Sequence, residues 1–345
     1  MTEKKRNTYV DFLRGIAMLL VVLGHTVLGS TRQAADSLIY NIIWSLQMPL
    51  FILISGYVSR YSKKPSKGRE LGAILLRRTL SYLLPWFVFT VLINGFFLHK
   101  QELSADKLFW HMDDGYWFLI TIWTISVLFV FAQFFAEKVR RGQTGNAILT
   151  VIFVAVGMGL LAAVGFAVGL SFWCIKLTLY YTPFYILGYL FGYYQEALQK
   201  NTWYSKVVQA VVAPATAFWI FSIVKFKLFE LDDGRIADII LRAATSVCGC
   251  VCVCGLMAEA FKKTPQIISC YLTWFGKHTI EIYLLHYYVL CLVAFSPVPL
   301  FGTMRGVGTM VLNYLLTVTL VSFITWLLSG NRYISLILFG KRLKQ

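Results

Sequence analysis

The chain has 345 residues, of which 58% are hydrophobic and only 14% are charged. About a quarter of the residues of a soluble domain are charged, so this composition excludes a soluble globular enzyme and indicates a polytopic membrane protein. The formal net charge of +16 would suggest nucleic-acid binding in a soluble protein. Here the positive residues collect on alternate connections between apolar segments, so we expect a lipid bilayer as partner and no nucleic acid.

Apolar segments long enough to cross about 30 Å of hydrocarbon recur along the whole chain. We place ten of them, at residues 8–30, 38–59, 71–97, 116–137, 146–170, 177–195, 205–228, 236–261, 272–296 and 306–330. Basic residues are dense before the first segment, after the second and after the fourth, at 4–6, 60–69 and 138–141. An even number of spans with this bias predicts that both termini are cytoplasmic. We expect an all-α fold and a single transmembrane domain over residues 1–345, with no fused soluble domain.

The first segment carries two ionisable residues, Arg14 and His25. Eleven residues make about three helical turns, so both side chains project from nearly the same face, about 16 Å apart along the axis. Such a pair is costly in hydrocarbon, so the face should line a protein-buried or water-filled cavity. Counted from Tyr9, Arg14 lies about 7 Å and His25 about 24 Å from the cytoplasmic edge. They are therefore expected to contact different parts of a long ligand that is anionic at its cytoplasmic end.

A second basic site is Arg77 and Arg78 in the third segment, about 10 Å from the inner edge. Arginine binds phosphate through forked hydrogen bonds, so these residues are candidates for the same anionic ligand. The alternative is that both side chains snorkel to the lipid headgroups. Asp11, which interrupts the first segment beside Arg14, is a candidate supporting residue.

Polar residues in other segments are candidates for substrate contact or support. In the ninth segment, His286 lies about 21 Å from Leu272, close to the depth of His25, and Glu281 lies near the midplane. Glu281 and His286 are about 140° apart on a helix, so they are not one catalytic pair. The alternative for His286 is a structural role, in which its ring is hydrogen-bonded to a neighbouring helix. The alternative for Glu281 is an ion pair with Lys277, one turn earlier on the same helix.

Three more polar candidates lie in the second and fourth segments. Gln47 and Ser55 lie on either side of Pro49 in the second segment. A proline inside a helix leaves backbone polar groups without their helical hydrogen bonds, and this is tolerated at membrane depth only where protein or water supplies new partners. Trp117 lies at the start of the fourth segment, after a connection rich in carboxylates and aromatics. Those side chains suit a sugar, although tryptophan at this depth is also typical of the interfacial belt.

The cysteines predict no metal site. Four of the seven alternate along one segment, at Cys248, Cys250, Cys252 and Cys254. Alternate residues of a helix lie about 200° apart, so these thiols cannot converge on one ion. Small residues that allow close helix packing are the better interpretation.

The pattern resembles the acyltransferase-3 family of bacterial membrane proteins, and within it the fucose 4-O-acetylase-like members. The most specific element is an arginine and a histidine separated by ten residues, here Arg14 and His25 in RGIAMLLVVLGH. Supporting elements are MPLFILISGY, the basic pair Arg77 and Arg78 before Pro85, GYWFL, FYILGYLFG and FGKHTIEIYLLHYY. Relatives often carry histidine where this chain has Gln47, so the resemblance does not support a second catalytic histidine at this position of the second segment.

The resemblance implies transfer of an acetyl group from cytoplasmic acetyl-CoA to a hydroxyl of a surface-polysaccharide or lipid-linked sugar. Acetyl-CoA would be a co-substrate, with no permanently bound cofactor. His25 would be catalytic, as general base or as nucleophile, and Arg14, Arg77 and Arg78 would hold the donor. The expected location is the bacterial cytoplasmic membrane, with a homo-oligomer or polysaccharide-assembly proteins as further partners. A transporter or flippase for an anionic or lipid-linked solute is the alternative, because buried Arg and His also mark transport paths.

Overall fold

The computed structural model describes residues 7–100, 102–139, 142–199, 204–294 and 298–341. Throughout these ranges the regular elements are helices, and the one extended feature is an isolated bridge between Arg32 and Leu300. The prediction of an all-α polytopic membrane protein is confirmed. The basic residues at 4–6, 140 and 141 lie outside the described residues, so the cytoplasmic termini stay a prediction.

Thirteen α-helices can be followed in the described residues, besides short 3₁₀ turns. They are α1 (Thr8–Ser30), α2 (Leu38–Ser59), α3 (Gly68–Phe87, continued by a π-helix over Val88–Phe97), α4 (Ala105–Phe109), α5 (Trp117–Val139), α6 (Gly142–Val168), α7 (Ile175–Gln199), α8 (Tyr204–Lys225), α9 (Ile236–Lys263), α10 (Gln266–Lys277), α11 (Thr279–Val293), α12 (Met304–Ser329) and α13 (Arg332–Phe339).

Each of the ten predicted segments falls on one or more of these helices. Within the described parts of the chain, seven helices are long and apolar enough to cross a membrane: α1, α2, α3 with its π-helical continuation, α5, α6, α9 and α12. The prediction of one continuous helix over 272–296 is wrong, because α10 ends at Lys277 and α11 begins at Thr279. His278 leaves the helical conformation there, with φ −112° and ψ 28°. The count of ten spans stays a prediction.

The first compact unit comprises Met1–Ile54 and Ala197–Leu327. It is built around α1, which begins after Asn7, whose side chain accepts hydrogen bonds from the backbone N–H groups of Tyr9 and Val10. Glycines let α10 approach α1 at backbone distance: a Cβ on Gly15 would overlap the carbonyl oxygen of Leu272, and one on Gly276 that of Asp11. The start of α1 is therefore fixed against the end of α10.

The second unit comprises Ser55–Glu196 and Leu328–Gln345. In it α5 packs between α3 and α6, and the short α13 lies against α3. Helix α13 ends at Gly340, which is left-handed at φ 61° and whose Cβ position is occupied by the carbonyl oxygen of Leu80. Only glycine meets both conditions without strain.

Candidate active site

Two histidines of the first unit lie side by side. His25 on α1 and His286 on α11 have ring centroids 5.0 Å apart, at an interplanar angle of 52°. Tyr287, the residue after His286, has its ring 6.0 Å from that of His25. The similar depth of the two histidines was predicted from the sequence, and the structure adds that their rings are in contact.

The packing of α1 on α11 sets this contact. One turn beyond the histidines, Gly29 of α1 faces Leu290 of α11, and a Cβ on Gly29 would lie 3.2 Å from the Leu290 Cδ2 atom. The pairs 25 with 286 and 29 with 290 advance by four residues on both helices, so α1 and α11 run in parallel here. A side chain larger than that of alanine at position 29 would separate the two helices at the level of the rings.

The His286 side chain is buried, at 3% exposure, and one ring edge is fixed. Its Nδ1 atom lies 3.0 Å from the backbone carbonyl oxygen of Ile282. Its Nε2 atom is buried and has no hydrogen-bond partner among the described residues. The sequence suggested a bond from His286 to a neighbouring helix, but the bond found here is to the preceding turn of α11 itself.

His25 differs from His286 in its exposure. Its side chain is exposed although its neighbours Gly24 and Thr26 are buried. An ionisable imidazole is costly against hydrocarbon, so an exposed one on a membrane-spanning helix indicates contact with water or with a polar ligand. Part of the His25 surface is thus exposed at this level of α1, with the buried His286 beside it.

Gln47 packs against α1 immediately before His25. A Cβ on Gly24 would lie 2.9 Å from the Gln47 Oε1 atom, and this oxygen is buried without a hydrogen-bond partner in the described structure. Gly24 is therefore what allows the α2 amide to reach α1 at this level. Gln47 is the only α2 candidate of the first unit, since Ser55 belongs to the second.

Arg14 and Asp11 form an ion pair at the start of α1, with Nη1 to Oδ1 at 3.6 Å. The carboxylate is almost fully buried, whereas 24% of the arginine side chain is exposed. An (i, i+3) pair of this kind directs the guanidinium along α1. Helix α1 runs unbroken from Arg14 to His25, as the predicted spacing on one face requires.

Glu281 is completely buried and bonds to His278, with Oε1 to Nδ1 at 3.0 Å. The sequence suggested Lys277 as its partner, but the structure assigns His278, the residue between α10 and α11. The Trp274 ring lies 4.7 Å from that of His278. His278 and Tyr287 were both missed, although the three-residue spacing from His278 to Glu281 was a signal for the first.

The other predicted residues lie in the second unit. Arg77 is exposed, whereas Arg78 is half-buried and interacts with Tyr82 and Tyr185. Trp117 stacks on Tyr181, with centroids 5.6 Å apart and planes at 16°, and Ser55 is half-buried near the end of α2. The assignment of Arg77 and Arg78 to donor binding stays a prediction.

Nothing in the described ranges brings three or more His, Cys, Asp or Glu side chains together as a metal site would. The two imidazoles of the site are fewer than the three protein ligands that catalytic zinc normally takes. Imidazole side chains can accept a proton or attack as a nucleophile.

Comparison with known proteins gives a family and two relatives. The chain is 28% identical over 211 residues to nodulation protein NolL of Sinorhizobium fredii, covering 57% of this chain and 51% of that protein. It is 27% identical over 221 residues to NolL of Mesorhizobium japonicum, covering 60% and 55%. The chain thus spans about half the length of the curated relatives it matches. No solved structure matches it. The family described as an acyltransferase domain matches residues 7–330, so the chain belongs to the acyltransferase-3 family.

Proposed function

We propose that the protein is a membrane O-acyltransferase that moves an acetyl group from cytoplasmic acetyl-CoA to a hydroxyl of a surface-polysaccharide or lipid-linked sugar. The observation that carries this proposal is the accessible His25 imidazole in ring contact with His286. Imidazole serves both as general base and as nucleophile in acyl transfer. Membership of an acyltransferase family supports the same chemistry.

The donor extends along α1 in this proposal. Acetyl-CoA is long, thin and phosphorylated at one end, and Arg14 lies about three turns before His25 on the same face. Its partly exposed guanidinium is available to phosphate oxygens, which suit arginine's forked donors. Arg77 and Arg78 are assigned to the same donor, which enters from the cytoplasmic side of a bacterial inner membrane.

The test is transfer of radiolabelled acetyl from acetyl-CoA by the purified protein to a panel of methyl glycosides. Wild type is compared with His25→Ala and Arg14→Ala. We expect His25→Ala to abolish turnover while it retains donor binding, and Arg14→Ala to weaken donor binding. Normal turnover in His25→Ala would contradict the mechanism. Uptake of the sugar into vesicles without a labelled product would favour a transporter instead.

A further inference from the structure

The hydrogen bond of His286 fixes which of its ring nitrogens carries the proton. The Ile282 carbonyl oxygen can only accept, so Nδ1 of His286 must donate. In the neutral ring the other nitrogen, Nε2, then holds a free lone pair. Nε2 is also remote from the Cβ atom, at the end of the side chain that faces away from the α11 backbone.

This lone pair is buried and has no donor in the described structure. A buried acceptor left without a partner is costly, so it is usually filled by a ligand, a water or a reacting group. The titratable side chains that the structure places against this ring are His25 from α1 and Tyr283 from α11 itself. In its neutral form, His286 is a base beside the His25 imidazole.

We propose that Nε2 of His286 takes the proton of the acceptor hydroxyl during acyl transfer. The assignment rests on the proposed function and deepens it, because it separates the group that meets the hydroxyl from His25. It follows the general arrangement of a reacting side chain, a base beside it and a third group that orients the base. Here these are His25, His286 and the Ile282 carbonyl.

The step balances with the groups named. The O–H bond of the acceptor breaks, its proton passes to Nε2, and the oxygen forms a C–O bond with the acyl carbon. The C–S bond of the thioester breaks, the thiolate leaves with the electron pair, and the His286 imidazolium returns its proton to the sulfur. If His25 carries the acyl group first, its ring nitrogen forms a C–N bond with the acyl carbon while the C–S bond breaks, and the proton displaced from His25 goes to the leaving thiolate. The acceptor oxygen then forms its C–O bond while the C–N bond breaks, and the proton that Nε2 of His286 took from the hydroxyl returns to the His25 nitrogen.

Two variants separate a base from a packing residue. His286→Phe keeps a ring against His25, and His286→Gln keeps hydrogen-bonding capacity, but neither has a basic nitrogen. We expect both to lower the rate of acetyl transfer by about 100-fold or more, as loss of a general base does. The Kd for acetyl-CoA, measured by calorimetric titration, should be unchanged in both variants, which would show that both are folded. His111→Gln, which changes an exposed histidine of the second unit, is the matched control and should keep wild-type transfer.

A second measurement needs no acceptor. The chain has five histidines, so ¹⁵N-histidine NMR of the detergent-solubilised protein gives few signals, and His286→Gln assigns the one required. We expect neutral His286 with its proton on Nδ1. A proton on Nε2 would overturn the proposal, and so would transfer within a few fold of wild type in either His286 variant. A wild-type protein that acetylates no glycoside would instead show that the proposed function fails.

Discussion

Arg14 is oriented by Asp11 but keeps part of its guanidinium exposed, and this determines how it should respond to substitution. Arg14→Lys preserves the charge and loses the planar fork, so we expect the Kd for acetyl-CoA to rise about tenfold, or ~1.4 kcal/mol. Arg14→Ala should raise it further. Calorimetric titration measures both. Arg305→Lys, an exposed position on α12, is the matched control, and an unchanged Kd in Arg14→Ala would remove Arg14 from the donor site.

Glu281 should act on stability through His278. Its carboxylate is completely buried and accepts the His278 bond, so Glu281→Ala should destabilise the protein by about 1–3 kcal/mol. Glu281→Gln keeps an acceptor oxygen, so its free energy of unfolding should fall less than that of Glu281→Ala. Thermal unfolding followed by near-ultraviolet circular dichroism gives the Tm of each variant. Glu259→Ala removes an exposed ion pair with Lys262 and should leave the Tm unchanged. Equal Tm values for Glu281→Ala and wild type would contradict this role.

Residue positions along a helix were predictable, whereas their partners were not. Counting rise per residue placed His25 and His286 at nearly one depth. The break at His278 changes the depth counted for His286 only slightly, because only this one residue leaves the helical conformation. That the two rings face each other depends on which faces of α1 and α11 pack. Gly29 and Leu290 set that packing, and it is a tertiary property that the spacing within either segment does not contain.

At the scale of elements, the close approach of α1 and α11 should control the distance between the two histidines. Gly29→Ala requires Leu290 to shift by a few tenths of an ångström and should be tolerated. Gly29→Leu should force the helices apart, costing about 1–3 kcal/mol. Transfer should fall by about 100-fold, since small misplacements of reacting groups have effects of this size. Initial rates and Tm values measure the two effects.

The control for this substitution is on a neighbouring element. Gly308 of α12 is exposed, and a Cβ there meets nothing within 4 Å. Gly308→Leu should therefore leave transfer and stability unchanged. Combining Leu290→Ala with Gly29→Leu should restore part of the lost transfer rate, because the smaller alanine leaves space for the leucine at position 29. Full activity in Gly29→Leu alone would show that the approach of α1 and α11 does not position the rings.

The divided ninth segment shows where element prediction failed. The polar residues of KHTIE at 277–281 interrupt the apolar pattern of 272–296, but they were interpreted as polar positions within one span. The break coincides with local side-chain contacts of His278, whose imidazole bonds to Glu281 three residues later and lies against Trp274 four residues earlier. A buried polar bond of this kind outweighs the helix propensity of one residue. Apolar pattern thus predicted where helices lie, and specific side chains decided where one of them stops.

For the whole molecule, the sequence predicted the class and the positions of the helices because bilayer thickness fixes both. The ten apolar segments fall on helices of the described chain, and the family match extends over residues 7–330. The division into two compact units was not predicted. One of its three boundaries along the chain lies within α2, between Ile54 and Ser55, where the helix continues without a break. The division into units depends on which helices contact one another, and the amino-acid composition contains no information on these contacts.

Orientation in the membrane is the property of the whole molecule that the charge pattern predicts. Helix α9 has 28 residues, about 42 Å, so its two ends should emerge on opposite sides of the bilayer. Lys262 and Lys263 at its end predict that this end is cytoplasmic, so we expect its start at Ile236 to lie on the outer side. With the exposed Cys270 and Cys291 replaced by serine, Asp232→Cys should react with a membrane-impermeant maleimide on intact cells. Lys263→Cys should react only after permeabilisation, and the reverse pattern would invert the topology and move the donor site to the outer face.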